Sequence, residues 1–239
     1  MFRKISSLLF ASLLVFVSVA VSFAKTDAST DAPRVREPLN IAILIQDDLT
    51  SRVGNELGVT REFIRGLPAG SRVMVGYITA GSLQTRQPFT TDLNRAANSL
   101  RIPIASTSAS AYNPYVEVIE ALKKFDANWK GHSAVLLISD GLDTSGGFDA
   151  TAAGHTLDID RTISEANRRN VSIFSFYAPS VGLTSRSYIA ASYGQSSLNR
   201  VSDKTGGKAF FQGTTGFVTF DSYFTRLTRE LNRVYATAS

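Results

Sequence analysis

Short, wholly apolar runs along this chain alternate with longer stretches in which apolar residues recur every three or four positions. Ile41-Ala42-Ile43-Leu44-Ile45 and Ala134-Val135-Leu136-Leu137-Ile138 are the two unbroken runs, each closed by polar residues. Runs of this length and composition predict strands buried on both faces, as in the interior of a parallel sheet. Further strands are expected at Arg72 to Thr79, at Leu83 to Phe89 as a short edge strand, at Val171 to Tyr177 and at Lys208 to Phe211. Helical spacing fills the intervals. Val53, Leu57, Phe63, Ile64 and Leu67 lie on one face ahead of a Pro68-Ala69-Gly70 stop, and a short helix is expected near Leu93 to Leu100. Asn113-Pro114 supplies a cap and a first-turn proline for a helix carrying Val116, Ile119, Leu122 and Phe125. Helices are also predicted near Arg161 to Arg169, over most of 186–203, and from about Asp221 through Phe224, Leu227 and Leu231. Strands alternating with helices imply a parallel sheet covered on both faces with right-handed crossovers, an α/β fold of the doubly wound kind.

The two central runs end in acid. Gln46, Asp47, Asp48, Leu49, Thr50 and Ser51 follow the first, and Ser139, Asp140 and Gly141 follow the second. In open α/β sheets the carboxyl ends of the strands form the rim where ligands bind. Two buried strands aiming terminal aspartates at one point predict a hard-cation site or its remnant.

The ends of the chain change the picture of where this domain works. Arg3 and Lys4 precede an almost unbroken apolar segment from Leu8 to Val21, followed by Ser22-Phe23-Ala24. That pattern is a secretory signal peptide over residues 1–24, with cleavage near Ala24. Residues 25–38 are rich in Ser, Thr, Asp and Pro and read as a disordered tether, leaving 39–239 as one domain. Loss of Arg3 and Lys4 lowers the net charge from +5 to +3. The remaining arginines are scattered among acids, so nucleic acid is not an indicated partner. No cysteine is present, which excludes disulfides and thiol lipid anchors. A secreted or periplasmic location follows, with no membrane attachment once the signal is cleaved.

Taken in order, these pieces resemble the von Willebrand factor type A domain, in particular its bacterial exported branch, over about residues 39–235. Ile41 to Ser51 looks like the first strand and its metal-site loop, and Pro88-Phe89-Thr90-Thr91-Asp92 like the turn after the third strand. Val135 to Asp143 looks like the strand ending in Ser-Asp-Gly, Ala166 to Phe176 like the helix-Asn-Val-strand element, and Leu198 to Phe211 like the segment around Thr205-Gly206-Gly207. The resemblance implies a Rossmann-like, mostly parallel six-stranded sheet with one antiparallel edge strand and helices on both faces. It also implies a magnesium ion held by Asp-x-Ser-x-Ser after the first strand, a threonine in a middle loop and an aspartate after the fourth strand. The chain departs from that pattern. With Asp47 leading, the first serine becomes Leu49 and Ser51 stands last; with Asp48 leading, Thr50 follows and Arg52 takes the final hydroxyl's place. The middle-loop hydroxyl is Thr107, Ser108 or Ser110, and Asp140 alone matches cleanly. The candidate ligands are therefore Asp47, Asp48, Ser51, Thr107 and Asp140, in a degenerate metal-ion-dependent adhesion site whose magnesium is weakly held or lost.

Plainer readings stand beside these. Asp140 suits a strand-end turn, and Asp47 or Asp48 suits the dipole of the helix that follows. Thr205-Gly206-Gly207 lacks the lysine of a phosphate loop and reads as a helix stop. His132 and His155 have no acidic partner at zinc spacing and read as loop residues. The Asp- and Gly-rich stretch from Ser145 to Asp160 reads as a solvated loop or a partner-contacting rim. No nucleophile–base pair can be assembled, since there is no cysteine and no glycine-flanked serine after a strand. The expectation is an exported, non-catalytic module that binds an unknown protein partner at the carboxyl-end rim. The alternative is a magnesium-dependent phosphatase of the haloacid dehalogenase type, which wants Asp-x-Asp where this chain has adjacent Asp47 and Asp48. A domain whose metal site has decayed to a purely structural role is the third option.

Overall fold

The computed structural model describes residues 34–148, 157–211, 213 and 219–236. The expected signal peptide and the expected tether up to residue 33 lie outside these, as do residues 149–156 of the 145–160 stretch, His155 among them. Residues 34–38, assigned to the tether by composition, are fastened down. Val35 is buried, the Arg36 backbone N–H donates to the Asn232 side chain, and Asn232 donates back to the Arg34 carbonyl.

Six strands form one sheet in the order β3-β2-β1-β4-β5-β6. They are β1 (Leu39–Gln46), β2 (Arg72–Thr79), β3 (Ser82–Thr90), β4 (His132–Ser139), β5 (Val171–Tyr177) and β6 (Ala209–Phe210). All pairings are parallel except β2 with β3, the antiparallel edge. His132 is thus the first residue of a strand, paired with Leu39, and not part of a loop. The helices are α1 (Val53–Arg65), α2 (Leu93–Asn98), α3 (Pro114–Leu122), α4 (Leu157–Arg168), α5 (Tyr188–Asp203) and α6 (Phe220–Ala236). α4 begins four residues earlier than its apolar spacing suggested, because Asp158 and Asp160 favour the first helical turn.

Strand alternation sorts the core into two layers. Ile41, Ile43 and Ile45 of β1, with Ala134, Leu136 and Ile138 of β4, face α1, α2 and α6. Ala42 and Leu44, with Val135 and Leu137, face α3, α4 and α5. β1 and β4 lie side by side at the centre, with Leu44 opposite Leu137 and Ile45 opposite Ile138, so their carboxyl ends open onto the same stretch of rim. The first layer is capped by an aromatic cluster in which Phe176 contacts Phe210, Phe220, Tyr223 and Phe224 at centroid distances of 4.9–5.6 Å. Arrangements of this kind add favourable edge-to-face contacts to the area they bury.

Candidate functional site

The turn that follows β1 separates the two adjacent aspartates. Asp47 turns to the α1/α2 side. Its Oδ1 and Oδ2 each accept a hydrogen bond of 2.6 Å from the Arg101 guanidinium, and Oδ1 also accepts the Ile104 N–H at 3.0 Å. Arg101 lies over the Tyr77 ring, 4.0 Å from its centroid, and its backbone N–H donates to the Tyr77 hydroxyl. Asp47 is fully buried in this pair. Its carboxylate is consumed in joining the 101–105 loop to the end of β1, and it takes no part in the pocket described next.

Asp48 turns the other way and lines a cleft of about 160 Å³ with Gln46, Ser110, Asp140, Ser180 and Tyr112. The loop carrying it is pinned to the loop after β5: Val181 N–H donates to the Asp48 carbonyl, and Thr50 N–H to the Pro179 carbonyl. Asp140 enters from β4. Its Oδ1 accepts the Leu142 N–H at 3.1 Å, and its Oδ2 accepts the Thr184 hydroxyl at 3.0 Å. The turn that presents it depends on close backbone approach. Gly141 has φ of +69°, and a Cβ on Gly141 or on Gly194 of α5 would collide with the other segment's backbone. The Tyr115 hydroxyl holds the Gly141 carbonyl at 2.8 Å from the opposite side.

Gln46 ties the two acids together. Its Oε1 accepts the Ser139 hydroxyl at 2.5 Å and the Asp140 N–H at 3.2 Å. Those two donors fix the orientation of the amide, so its Nε2 donates to Asp48 Oδ1 at 2.7 Å. The residues that share the cleft are therefore spaced Gln46-x-Asp48, one position ahead of the Asp47-led spacing and two ahead of the Asp48-led one. Ser51 is exposed and does not line the cleft, and neither does Arg52. In the middle loop Thr107 and Ser108 are exposed on a short 3-10 turn, whereas the Ser110 hydroxyl reaches Asp48. Of the sequence candidates, the structure brings together Asp48 and Asp140 and leaves Asp47, Ser51 and Thr107 elsewhere. Gln46, Ser110, Ser180 and Thr184 complete the site. Strand parity was the signal for Gln46, because it shares a face with Ala42 and Leu44.

Both carboxyl groups hold protons more tightly than an exposed aspartate would. Burial raises Asp48, the charge of Asp140 raises it further, and hydrogen bonds from Gln46 and Ser110 oppose the rise, leaving it at about 6. Asp140 is raised by burial, against hydrogen bonds from Ser180, Leu142, Gln46 and Thr184. The cleft is thus a concentration of negative charge that calls for a cation or a proton.

Magnesium, which the resemblance implies, does not fit this donor set. The lead position of the loop is an amide whose locked orientation directs N–H hydrogens at Asp48. Magnesium demands a near-ideal octahedral shell of oxygens at short distance, and a fixed N–H donor beside a ligand carboxylate opposes it. Among the described residues, no group of three or more His, Cys, Asp or Glu side chains is arranged to hold a metal.

Known structures match this architecture. The chain is similar to an aerotolerance-related membrane protein from Bacteroides fragilis, with a TM-score of 0.54 and 13% identity, over 83% of this chain and all of that one. It is similar also to BatB, a conserved hypothetical protein from Bacteroides thetaiotaomicron, with a TM-score of 0.53 and 12% identity over 84% and 100% of the two chains. The human COPII-coat protein Sec24c matches with a TM-score of 0.50 and 11% identity, over 83% of this chain and 33% of that one. Neither a protein-family model nor a curated protein matches the sequence. At these identities the likeness is one of fold. The chain has the Rossmann-like fold of a von Willebrand factor type A domain. No described helix is long and apolar enough to cross a membrane.

Proposed function

We propose that this chain is an exported, non-catalytic protein-binding module whose partner docks on the carboxyl-end rim around Asp48 and Asp140, without a resident metal. The observation that carries this reading is the distribution of exposed apolar side chains. Every large apolar residue that is exposed among the described residues lies in a carboxyl-end loop or in the first turn of a helix that starts there. The loops at the opposite end of the sheet expose none among the described residues. Such one-sided exposure is the mark of an interaction surface and not of scatter. Fold-level likeness to von Willebrand factor type A domains is compatible with this reading and does not by itself assign it.

The phosphatase alternative is not favoured by the same geometry. It needs a nucleophilic aspartate and an acid two residues further on, exposed to substrate. Asp47 is locked in a buried ion pair, and two residues after Asp48 stands Thr50.

Site-specific photo-crosslinking in cells that make the protein tests the proposal. A crosslinker at Tyr112 on the rim is expected to trap a discrete protein adduct, and one at Asn128 on the opposite end to trap none. Equal adducts from both positions, or none from the rim, would refute docking there.

A further inference from the structure

Resting on that docking reading, we infer that the partner presents a basic side chain, lysine foremost, flanked by apolar residues, and that this side chain supplies the cation the cleft lacks. The apolar part of the surface is specific in place. Ile102, Ile104, Tyr112, Leu183, Tyr188 and Ile189 are between 43% and 64% exposed. Tyr112 and Leu183 belong to the wall of the acidic cleft itself, together with Leu142. Ile104 sits on the loop anchored to the end of β1, and Tyr188 and Ile189 open α5 directly after the Leu183–Ser185 turn. Tyr112, Leu142 and Leu183 thus border one narrow polar centre, and the other exposed apolar side chains lie on neighbouring carboxyl-end segments.

The centre has the chemistry of an ammonium acceptor. Two carboxylates line it, one from each central strand, with the hydroxyls of Ser110, Ser180 and Thr144 around them. An ammonium has three donors and no acceptor, so it is satisfied by carboxylate and hydroxyl oxygens alone. It also needs no completed coordination sphere, so the fixed Gln46 amide that opposes magnesium does not exclude it. Arg101 is already committed to Asp47, and neither Arg52 nor Arg186, the cations nearest in sequence to these loops, lines the cleft. Charge complementarity therefore selects a basic residue, and the apolar side chains bordering the cleft select its apolar neighbours. A buried, hydrogen-bonded charge at the centre of an apolar patch is the arrangement in which one residue dominates an interface.

The test is selection of a phage-displayed random dodecapeptide library on the purified chain, in parallel with Asp48→Asn and Asp140→Asn, each with magnesium and with chelator. Asn is isosteric with Asp, and circular dichroism verifies that each variant is folded. Supporting the inference, enriched peptides carry Lys or Arg between apolar residues and bind equally with chelator. They lose at least tenfold in affinity on either Asp→Asn change, and as much when the peptide's basic residue is replaced by Met. Enrichment of acidic peptides that need magnesium would overturn the inference and leave docking at the rim intact. Peptides that bind both variants as well as the parent chain, yet are lost on Tyr112→Ser and Leu183→Ser, would do the same. Absence of any enriched peptide would overturn the inference and the docking reading together.

Discussion

Arg101 and Asp47 form a two-pronged ion pair in which both guanidinium–carboxylate contacts are 2.6 Å, and this pair decides which of two adjacent aspartates is structural. Bidentate arginine–carboxylate geometry is stronger and more directional than a single contact. It holds Asp47 on one face of the sheet, while the turn after β1 carries Asp48 to the cleft on the other. The binding surface and its support are therefore neighbouring residues with opposite tasks.

Removing one partner of this pair leaves the other charge buried. Arg101→Ala is expected to cost about 3 kcal/mol of folding stability, because Asp47 has no access to water in its place. The double change Asp47→Leu with Arg101→Met should recover most of that loss, since no unpaired charge is left behind. Urea denaturation of the three variants measures both. A single Arg101→Ala variant as stable as the parent would contradict the assigned role.

Asp48 makes the protein more stable in mild acid. Its proton is bound more tightly in the folded state, at about 6, than at its ordinary value of 3.8. The contribution of Asp48 is therefore fully present below the lower value and is lost as pH rises from about 4 through about 6, on the order of 3 kcal/mol in total. Asp140 is shifted in the same direction and adds to the decline. Asp48→Asn removes its share, so this variant should melt above the parent at neutral pH and near it at about pH 4. Thermal unfolding followed across that range checks the sign; a parent that gains stability on going from pH 4 to pH 7 would contradict it.

Magnesium should leave the melting temperature unchanged, because the amide of Gln46 occupies the leading ligand position. Gln46→Asp restores a carboxylate there and is expected to confer a magnesium-dependent rise in melting temperature that chelator reverses. The substitution also removes the acceptor of the Ser139 hydroxyl, so without metal the variant should be less stable by about 1–3 kcal/mol. Calorimetric titration with magnesium and manganese distinguishes the two proteins.

Gly194 lets α5 lie against the Asp140 turn. Gly194→Ala places a methyl group against the Asp140 carbonyl and forces helix and turn apart, at a cost of about 2–3 kcal/mol. Because the turn carries Asp140 into the cleft, affinity for any rim ligand should fall with stability. Gly58→Ala is the control: a Cβ at Gly58 meets nothing within 4 Å, and helix propensity makes that change neutral or mildly stabilising. Equal effects from the two substitutions would argue against a specific approach at Gly194.

Much of the fold is legible along the chain because buried strands and amphipathic helices have different periods. The runs at Ile41 to Ile45 and Ala134 to Ile138 read as central strands and are central, side by side. Pro114 after Asn113 marks the start of α3, where the Asn113 side chain caps the Tyr115 N–H. Boundaries were less legible where polar residues dominate: Arg34 to Pro38 look like tether by composition, yet Val35 is buried and Asn232 of α6 grips the backbone on either side.

By itself the sequence determined that two core strands end in acid at one rim, since apolar runs closed by Asp48 and Asp140 leave few other arrangements for a parallel sheet. Which acid faces the cleft was a tertiary decision. Asp47 and Asp48 are chemically identical and adjacent, and no local rule separates them. Only the turn that follows β1, together with Arg101 arriving from 54 residues away, sends one into an ion pair and the other to the surface cleft. The same holds for Gln46, which is an ordinary polar strand end until Ser139 and the Asp140 N–H, 93 and 94 residues on, lock its amide and aim it at Asp48. Strand parity gives the face on which Gln46 lies, but long-range partners have no local signature, because they depend on which segments the folded sheet brings side by side.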